Sequence, residues 1–557
     1  MVARFVRLAI VSGFLLVPAA AWAQQASASI AGVVKDTSGA VMPGVTVEAA
    51  SPALLEKVRS VVTDAQGQYK IVDLRPGNYT VTFSVPGFST VKREGVELTT
   101  SFTANVNADL KVGAVEETVT VSGAAPLVDT QNVNQQTSVG RGTLNVLPTT
   151  QRVGQYAMFI PAAVYANPTF QDVGGNNGEG GQFSVHGQRP GDTGYNFEGM
   201  NQNMYGGDVY SYNAQMVQEV VVETGGTSAE ALSGGPQLNI IGKDGGNIFS
   251  GSYSTTLTGP SLASDNLTDK LRARGLLNGI SIKQFRDHGG ALGGPIKRDT
   301  LWFFTAHRFW ESSKYIQGSY YNKLQGTLFY APDLNRVTYT DFYYHDNNLR
   351  LTWQAAPKHK IVAYYSIQNN CNCPFALSGN GGVNPIKGAP ESRPRHVFNP
   401  QYNAVVSWSN PATNRLLFEG NLSLQGNKEH TELMPDVGPN DISVTDLGLN
   451  LQYGSLAGSN TGTNNWNGSH QRRFATMITS RLAASYVTGT HNFKIGFNYQ
   501  RWNEGLEGAY TDPNAIHGAI SYTFRNQVPT AVVIWAEPFG LVEHTSKIGV
   551  FAQDLGN

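Results

Sequence analysis

An apolar–polar alternation recurs through residues 248–557, and few folds can use it. In Asn492–Gln500, the residues Phe493, Ile495, Phe497 and Tyr499 alternate with Asn492, Lys494, Asn498 and Gln500. Leu349, Leu351 and Trp353 alternate with Asn348, Arg350, Thr352 and Gln354. Leu416, Phe418, Leu422 and Leu424 oppose Arg415, Glu419, Asn421 and Gln425, and Tyr402, Ala404, Val406 and Trp408 make a fourth face. A period of two places the two sets on opposite sides of a strand. Strands of about ten residues, apolar on one side and polar on the other, suit the wall of a membrane β-barrel. A soluble β-sandwich or β-helix is the competing architecture, but it needs a second apolar face to cover so many large aromatics. Leu301–Trp310 keeps the pattern less well, because His307 and Arg308 intrude. Gly293–Asp299 reads as a tight turn, and Asn370–Asn399 and Asn427–His470 read as long loops on the outer side.

Composition agrees with an all-β chain. Of 557 residues, 61 are Gly, 24 Tyr and 25 Phe, and only 15% are charged. With a mean hydropathy of −0.25, the chain is too polar for a helical membrane protein. Beyond the N-terminus no apolar run approaches the roughly 18 residues of a spanning helix. A net charge of −1 leaves no basic surplus to neutralise phosphates, so nucleic acid is excluded as a partner. At the N-terminus, Arg4 and Arg7, the apolar run Leu8–Val17 and the small residues of Ala21-Trp22-Ala23 describe an export signal covering residues 1–23. A membrane anchor helix is the alternative, but the apolar core is short for one. Cys371 and Cys373 form a Cys-Asn-Cys in an exported chain, so either a local disulfide or two free thiols is open there.

Residues 27–110 alternate in short runs broken by turn clusters. Ile30–Val34 leads into Asp36-Thr37-Ser38-Gly39; Pro43-Gly44 precedes Val45–Glu48; Thr63–Tyr69, Leu74–Tyr79, Thr80–Phe83 and Pro86-Gly87-Phe88 follow. Short strands with regular turns make a β-sandwich, with its turn glycines at positive φ. The order resembles the carboxypeptidase regulatory-like domain, a transthyretin-like sandwich of the carbohydrate-binding-like fold group. The resemblance implies an accessory module without chemistry. No His lies between Ser27 and Leu110 to hold a catalytic zinc. Asp36 and Asp64 are expected to cap turns rather than bind metal. No cofactor and no metal are expected anywhere in the chain, and no enzymatic activity.

Gly113–Gly123 is a short strand between two glycines, able to add to a partner's sheet edge. An ordinary linking strand is the alternative. Residues 124–247 follow, with Phe183–Arg189, Asn196–Met200, Val217–Gly225 and Leu238–Gly246 as short strands among long polar loops. The wording resembles the plug of TonB-dependent outer-membrane receptors, in particular the Oar-like group with a regulatory-like domain in front. His186 departs from the usual Arg or Asn before Gly, and Pro236-Gln237 and Gly242 depart from the usual run that follows. The resemblance implies a mainly β chain: a transthyretin-like sandwich over 27–110, a hinge over 113–123, a small α+β plug over 124–247 and an antiparallel transmembrane β-barrel from 248. It implies a TonB box at Glu116, Glu117, Thr118, Val119, Thr120 and Val121. TonB, with its ExbB/ExbD complex, would be the partner, and the N-terminal domain would lie in the periplasm of a Gram-negative cell. Plug-loop residues Asn201, Asn203, Tyr205, Tyr210 and Tyr212 could hold a small polar ligand, an oligosaccharide, peptide or chelate, by hydrogen bonds and ring stacking. The alternative function is a carbohydrate-binding or adhesive surface protein without active transport. About ten to twelve strands are countable, where plugged barrels have about 22, so the wall is expected to be incomplete and its sheet open.

Overall fold

The computed structural model describes residues 28–554 apart from 55–56, 99–102, 114–117, 123–134, 147–159, 162, 166–182, 204–209, 226–227, 265–266, 275–280, 376, 378–386, 414, 458–469, 489–490, 512–513 and 515. The export signal expected over 1–23 lies outside the described residues.

The N-terminal unit is a two-sheet β-sandwich. Its strands are β1 (Ala28–Asp36), β2 (Thr46–Ala50), β3 (Val58–Val62), β4 (Gln68–Leu74), β5 (Gly77–Ser84), β6 (Thr90–Leu98), β7 (Thr103–Asn105) and β8 (Ala108–Leu110), with β9 (Thr118–Ser122) beyond them. One sheet runs β4-β1-β7, with β8 also on β1; the other runs β3-β2-β5-β6-β9. Alternate residues such as Ile30, Val47, Ile71, Val81 and Phe83 meet between the sheets and are wholly buried. Asp36 accepts from the Ser38 and Ala40 amides, and Asp64 from the Gln66 and Gln68 amides, so both cap turns as their positions suggest. The turn after β4 bears on the site described below. Gly77 has φ 154°, and a Cβ there would lie 2.7 Å from the Ala53 Cβ. The Tyr79 hydroxyl donates to the Arg75 carbonyl at 2.7 Å, which fixes the backbone that carries Arg75.

The plug comprises β10 (Gln135–Gly140), β11 (Ala163–Tyr165), β12 (Phe183–Val185), β13 (Gly194–Phe197), β14 (Met200–Asn201), β15 (Val217–Gly225) and β16 (Gln237–Gly242). Five of these form a mixed sheet in the order β10-β15-β16-β13-β14, while β11 and β12 pair separately. Val217, Val220, Val222, Leu238 and Ile240 are its core, which the wall residues Phe304, Ala306, Tyr364 and Val405 complete. His186, where the sequence departs from the usual residue, has φ 57°, a left-handed conformation for which His and Asn are enriched.

The remaining strands are β17 (Ser250–Thr258), β18 (Ile282–Lys297), β19 (Leu301–Asn322), β20 (Pro332–Ala356), β21 (His359–Cys373), β22 (Lys387–Gly388), β23 (Arg395–Pro411), β24 (Leu416–Glu432), β25 (Val444–Asp446), β26 (Leu451–Tyr453), β27 (His470–Thr488), β28 (His491–Ala509), β29 (Ile520–Arg525), β30 (Val528–Ile534) and β31 (Phe539–Asp554). Ten of them form one sheet, β17-β18-β19-β20-β21-β23-β24-β27-β28-β31, with β17 and β31 at its ends. Every neighbouring pair in it is antiparallel. Its burial is inverted relative to a soluble protein: Leu349 and Trp353 are 44% and 46% exposed, while Arg350 and Thr352 between them are 2% and 1% exposed. Phe493, Ile495 and Phe497 face outward in the same way, and Asn498 and Gln500 face the plug. Strand β20 has 25 residues, far more than the roughly ten that cross a bilayer, so it projects beyond the membrane.

Two local expectations change. In Leu301–Trp310, Trp302, Phe304, Ala306, Arg308 and Trp310 all point inward and are buried. The alternation of faces is intact there, but apart from Arg308 the inner face is apolar, because Phe304 and Ala306 pack on the plug core. Gly293–Asp299 is mostly strand rather than turn, since β18 runs to Lys297 and the Thr300 amide bonds to the Lys297 carbonyl. Gly293 and Gly294 are small because aromatic rings cross them: a Cβ would come within 2.7 Å of the Phe304 ring and 2.3 Å of the Phe249 ring.

The long loops are partly ordered too. Strands β22, β26, β25, β29 and β30 form a separate sheet at the end away from the sandwich. Ala389, Val444, Tyr453 and Phe524 are its core. Glu391 is buried beside it, and burial first, then Asp436, pushes its carboxyl up to about 7 against nearby backbone amides of Glu391, Asn322 and Gly454. Cys371 and Cys373 are bonded to each other at the end of β21 and are buried.

Candidate functional site at the plug–wall interface

The β13–β14 hairpin turns on Glu198 and Gly199, at φ 53° and 74°. A hairpin with both central residues left-handed matches strand twist but is costly for a residue with a side chain. What holds Glu198 there is an ion pair: its Oε1 lies 2.7 Å from Arg350 Nη1 and accepts the Gly242 amide at 2.9 Å. Arg350 also meets Asp244, Nε to Oδ1 at 2.8 Å. The other Asp244 oxygen lies 2.7 Å from Arg75 Nη2 of the sandwich, and the Thr352 hydroxyl donates to Oδ1. Burial alone would raise the Asp244 carboxyl, but Arg350 and Arg75 beside it hold it well below the usual carboxylate range. Two cations and two carboxylates from sandwich, plug and wall thus balance in one buried cluster.

A second grip lies across the plug. Glu230 is 2.9 Å from Arg481 and 2.6 Å from Lys494, and Lys494 is 3.6 Å from Glu419. Burial opposes its ionisation, yet Lys494 and Arg481 bring Glu230 down to about 2. Neutral contacts fill the rest of the seat. Asn498 donates to the Glu230 carbonyl at 3.0 Å, and Gln202 donates to the Ser423 hydroxyl at 3.3 Å.

Of the ligand residues expected from sequence, Tyr210, Tyr212 and Asn201 reach this seat, while Asn203 bonds within the plug. Tyr210 and Tyr212 are 2% and 5% exposed. The Tyr210 hydroxyl donates to Ser366, which donates to Asp346, at 2.7 and 2.6 Å. Tyr212 accepts from Asn403 at 2.9 Å and stacks on Phe197 with ring centroids 4.9 Å apart. In this state both rings face the wall and its partners rather than open space. Asn203 accepts the Tyr195 amide at 2.6 Å and donates to the Thr193 carbonyl at 2.8 Å, while Asn201 accepts from Gln500 at 3.2 Å. Tyr205 lies outside the described residues.

Of the hinge residues, Thr118, Val119, Thr120 and Val121 belong to β9, and Glu116 and Glu117 lie outside the described residues. The sandwich touches the wall as well as the plug: Arg415, in the turn between β23 and β24, pairs with Asp64. Between sandwich and plug is a cavity of about 1080 Å³, lined in part by Lys57, Arg75, Asp244, Arg298 and Lys360. Sequence reasoning did not single out Glu198, Glu230, Asp244, Arg350, Arg481 or Arg75 as a group. The signal available was a full charge, Arg350 or Arg481, at an inward position of a strand whose other inward residues are mostly neutral.

A model of the carboxypeptidase regulatory-like domain matches residues 29–111. The TonB-dependent transporter Oar of Myxococcus xanthus is 31% identical over 306 residues, which cover 53% of this chain and 28% of that protein. The chain therefore spans under a third of the length of that curated relative. The outer membrane transporter YddB from Escherichia coli shares the fold, with a TM-score of 0.52 at 12% identity, covering 75% of this chain and 54% of that one. Over those 306 residues the chain is thus similar to the TonB-dependent transporter Oar, and its own regulatory-like domain stands in front of a mainly β plug and wall with the fold of an outer-membrane transporter.

Proposed function

We propose that the chain serves TonB-dependent transport of a small polar ligand across the outer membrane. The ligand enters from the side of the loop sheet. TonB, energised with ExbB and ExbD, docks on the Glu116–Val121 segment, and a pull there loosens the plug. The observation that carries this reading is the seat. A plug sits inside a wall that is apolar outside, and around the apolar patch it shares with Phe304, Ala306, Tyr364 and Val405 it is held by ion pairs and amide contacts that water can replace one at a time. No covalent step is required.

The corresponding units are a sandwich over 27–110, a hinge over 113–123, a plug over 124–247 and a barrel wall from 248. The proposed ligand residues are Asn201, Asn203, Tyr205, Tyr210 and Tyr212. Tyr210 and Tyr212 reach a ligand only once the plug has shifted. The ligand class is hydrogen-bonding and polar: oligosaccharide, peptide or chelate.

Single cysteines at positions 116–121 test the docking. Cross-linking to TonB is expected along the segment, and Val119→Pro should weaken it by removing a backbone donor. No cross-link at any position would sink the docking site. Ligand accumulation that persists in cells lacking ExbB and ExbD would favour a surface-binding role instead.

A further inference from the structure

The domain match ends at residue 111, yet the sandwich has one strand more. Strand β9 lies in parallel on β6, with Thr90 opposite Thr118, Val91 opposite Val119, Lys92 opposite Thr120, Arg93 opposite Val121 and Glu94 opposite Ser122. Without β9, β6 would be the sheet's edge. Its run Lys92-Arg93-Glu94, with a Lys92–Glu94 ion pair at 2.6 Å, is the charged sequence that discourages indiscriminate pairing at an edge. The pairing slot has a defined end. Gly95, at φ 77°, sits in a bulge where the β5–β6 register shifts between Tyr79/Val96 and Val81/Arg93, and β9 pairs no further than Glu94.

The chain is also led to this slot. The Ser89 amide bonds to the Lys111 carbonyl at 2.9 Å and the Gly113 amide to the Gly87 carbonyl at 3.2 Å, which lays residues 111–113 beside the start of β6. Strand β9 ends the sheet order β3-β2-β5-β6-β9, so among the described residues no strand pairs with its outer side. Its placement is a matter of backbone, and backbone on the outer side is what a partner's strand needs.

We infer that the sandwich presents the coupling segment: β6 holds Thr118–Ser122 as a ready-made strand, and TonB adds to the outer edge of β9, so that sandwich, coupling segment and TonB form one continuous sheet. This rests on the TonB reading above and adds where the segment is when TonB meets it. Pre-ordering removes most of the entropy cost of straightening a loose segment at the moment of binding. It also gives the regulatory-like domain a task that needs no ligand of its own.

The test uses the receptor in outer-membrane preparations with Lys92→Cys and Thr120→Cys together, and Lys92→Cys with Ser122→Cys as the out-of-register control. The native cysteines are bonded to each other and buried. The Lys92/Thr120 pair should oxidise at least tenfold faster than the control. The oxidised receptor should bind the TonB C-terminal domain within threefold of the reduced receptor or more tightly, and a photo-cross-linker at Val119 should still reach TonB. Failure of the Lys92/Thr120 pair to oxidise overturns the proposal. So does a tenfold or larger loss of TonB affinity on oxidation, which would mean the strand must leave β6. Retained affinity without a Val119 cross-link overturns it as well. If the reduced receptor binds no TonB while the cysteines oxidise in register, it is the TonB reading that falls, and the presentation proposal falls with it.

Discussion

Arg350 of the wall and Asp244 of the plug meet Nε to Oδ1 at 2.8 Å, and both side chains are buried. The pair is the centre of a cluster in which Glu198 takes a second Arg350 nitrogen and Arg75 takes the second Asp244 oxygen. Removing one partner of such a buried set leaves an uncompensated charge, at a cost of about 3–5 kcal/mol. Arg350→Met should therefore lower the melting temperature of the purified receptor and raise outer-membrane permeability to a large antibiotic. Arg350→Lys should recover part of this only, because a point charge cannot fork to two carboxylates. Unchanged melting and permeability in Arg350→Met would refute a seating role.

Glu198 combines an ion pair with a left-handed backbone, and two variants separate the effects. Glu198→Ala loses the pair and keeps the strain. Glu198→Gly loses the pair and relieves the strain, so it should be the more stable of the two by about 1 kcal/mol. Equal stability of the two variants in thermal unfolding would mean the turn stores no strain.

The two sandwich contacts should differ in weight. The Arg75–Asp244 side chains are 14% and 6% exposed, whereas Arg415 and Asp64 are 42% and 24% exposed. Arg415→Ala should change stability by less than about 1 kcal/mol. Arg75→Ala should speed protease cleavage between sandwich and plug severalfold. A larger effect from Arg415→Ala would reverse this ranking.

Residues 27–110 should fold when expressed alone, because the strands β1–β8 enclose a core that draws on no plug or wall residue. The plug should not, because wall residues complete its core. Circular dichroism of the two isolated segments decides both halves of the statement.

Glu391 makes the loop sheet sensitive to pH. Its carboxyl is raised from 4.5 to about 7 in the fold, so the native state holds the proton more tightly than the unfolded chain. The loop assembly is therefore at its full stability below about pH 4.5 and loses it as pH rises to about 7, by up to about 3 kcal/mol. Hydrogen exchange in Val444–Asp446 and Ile520–Arg525 should be slower at pH 5 than at pH 8, after correction for the intrinsic rate. Glu391→Gln should abolish the difference; if the difference persists, another group is responsible.

Much of the wall was legible in the sequence because a strand's period of two is local: Leu349 and Arg350 declare their faces without reference to anything else. The plug core was legible for a different reason: Val220, Val221 and Val222 form a continuous apolar run, and all three are buried. The seat was not, because Arg75, Glu198, Asp244 and Arg350 are brought together from distant parts of the chain and no local pattern links them. Leu301–Trp310 looked irregular because part of its inner face meets apolar plug rather than water, while His307 stands exposed on its outer face. The loop sheet escaped notice because its strands are as short as the two residues Lys387–Gly388 and lie among polar stretches.

The order of the plug sheet also sets how it responds to force. Strand β10 is one of the two outermost of its five strands and, among the described residues, pairs with β15 alone, from Gln135/Gly225 to Gly140/Glu219. It is the first of the five in sequence, so tension applied upstream of Gln135 reaches it before any other. Its single ladder resists with roughly 5 kcal/mol at about 1 kcal/mol per hydrogen bond, whereas β15 and β16 are bonded on both sides. Under load the first ladder to yield lies at the loaded end: β10 can peel away and lengthen the tether while β15, β16, β13 and β14 stay in register, with Glu198 still gripped by Arg350.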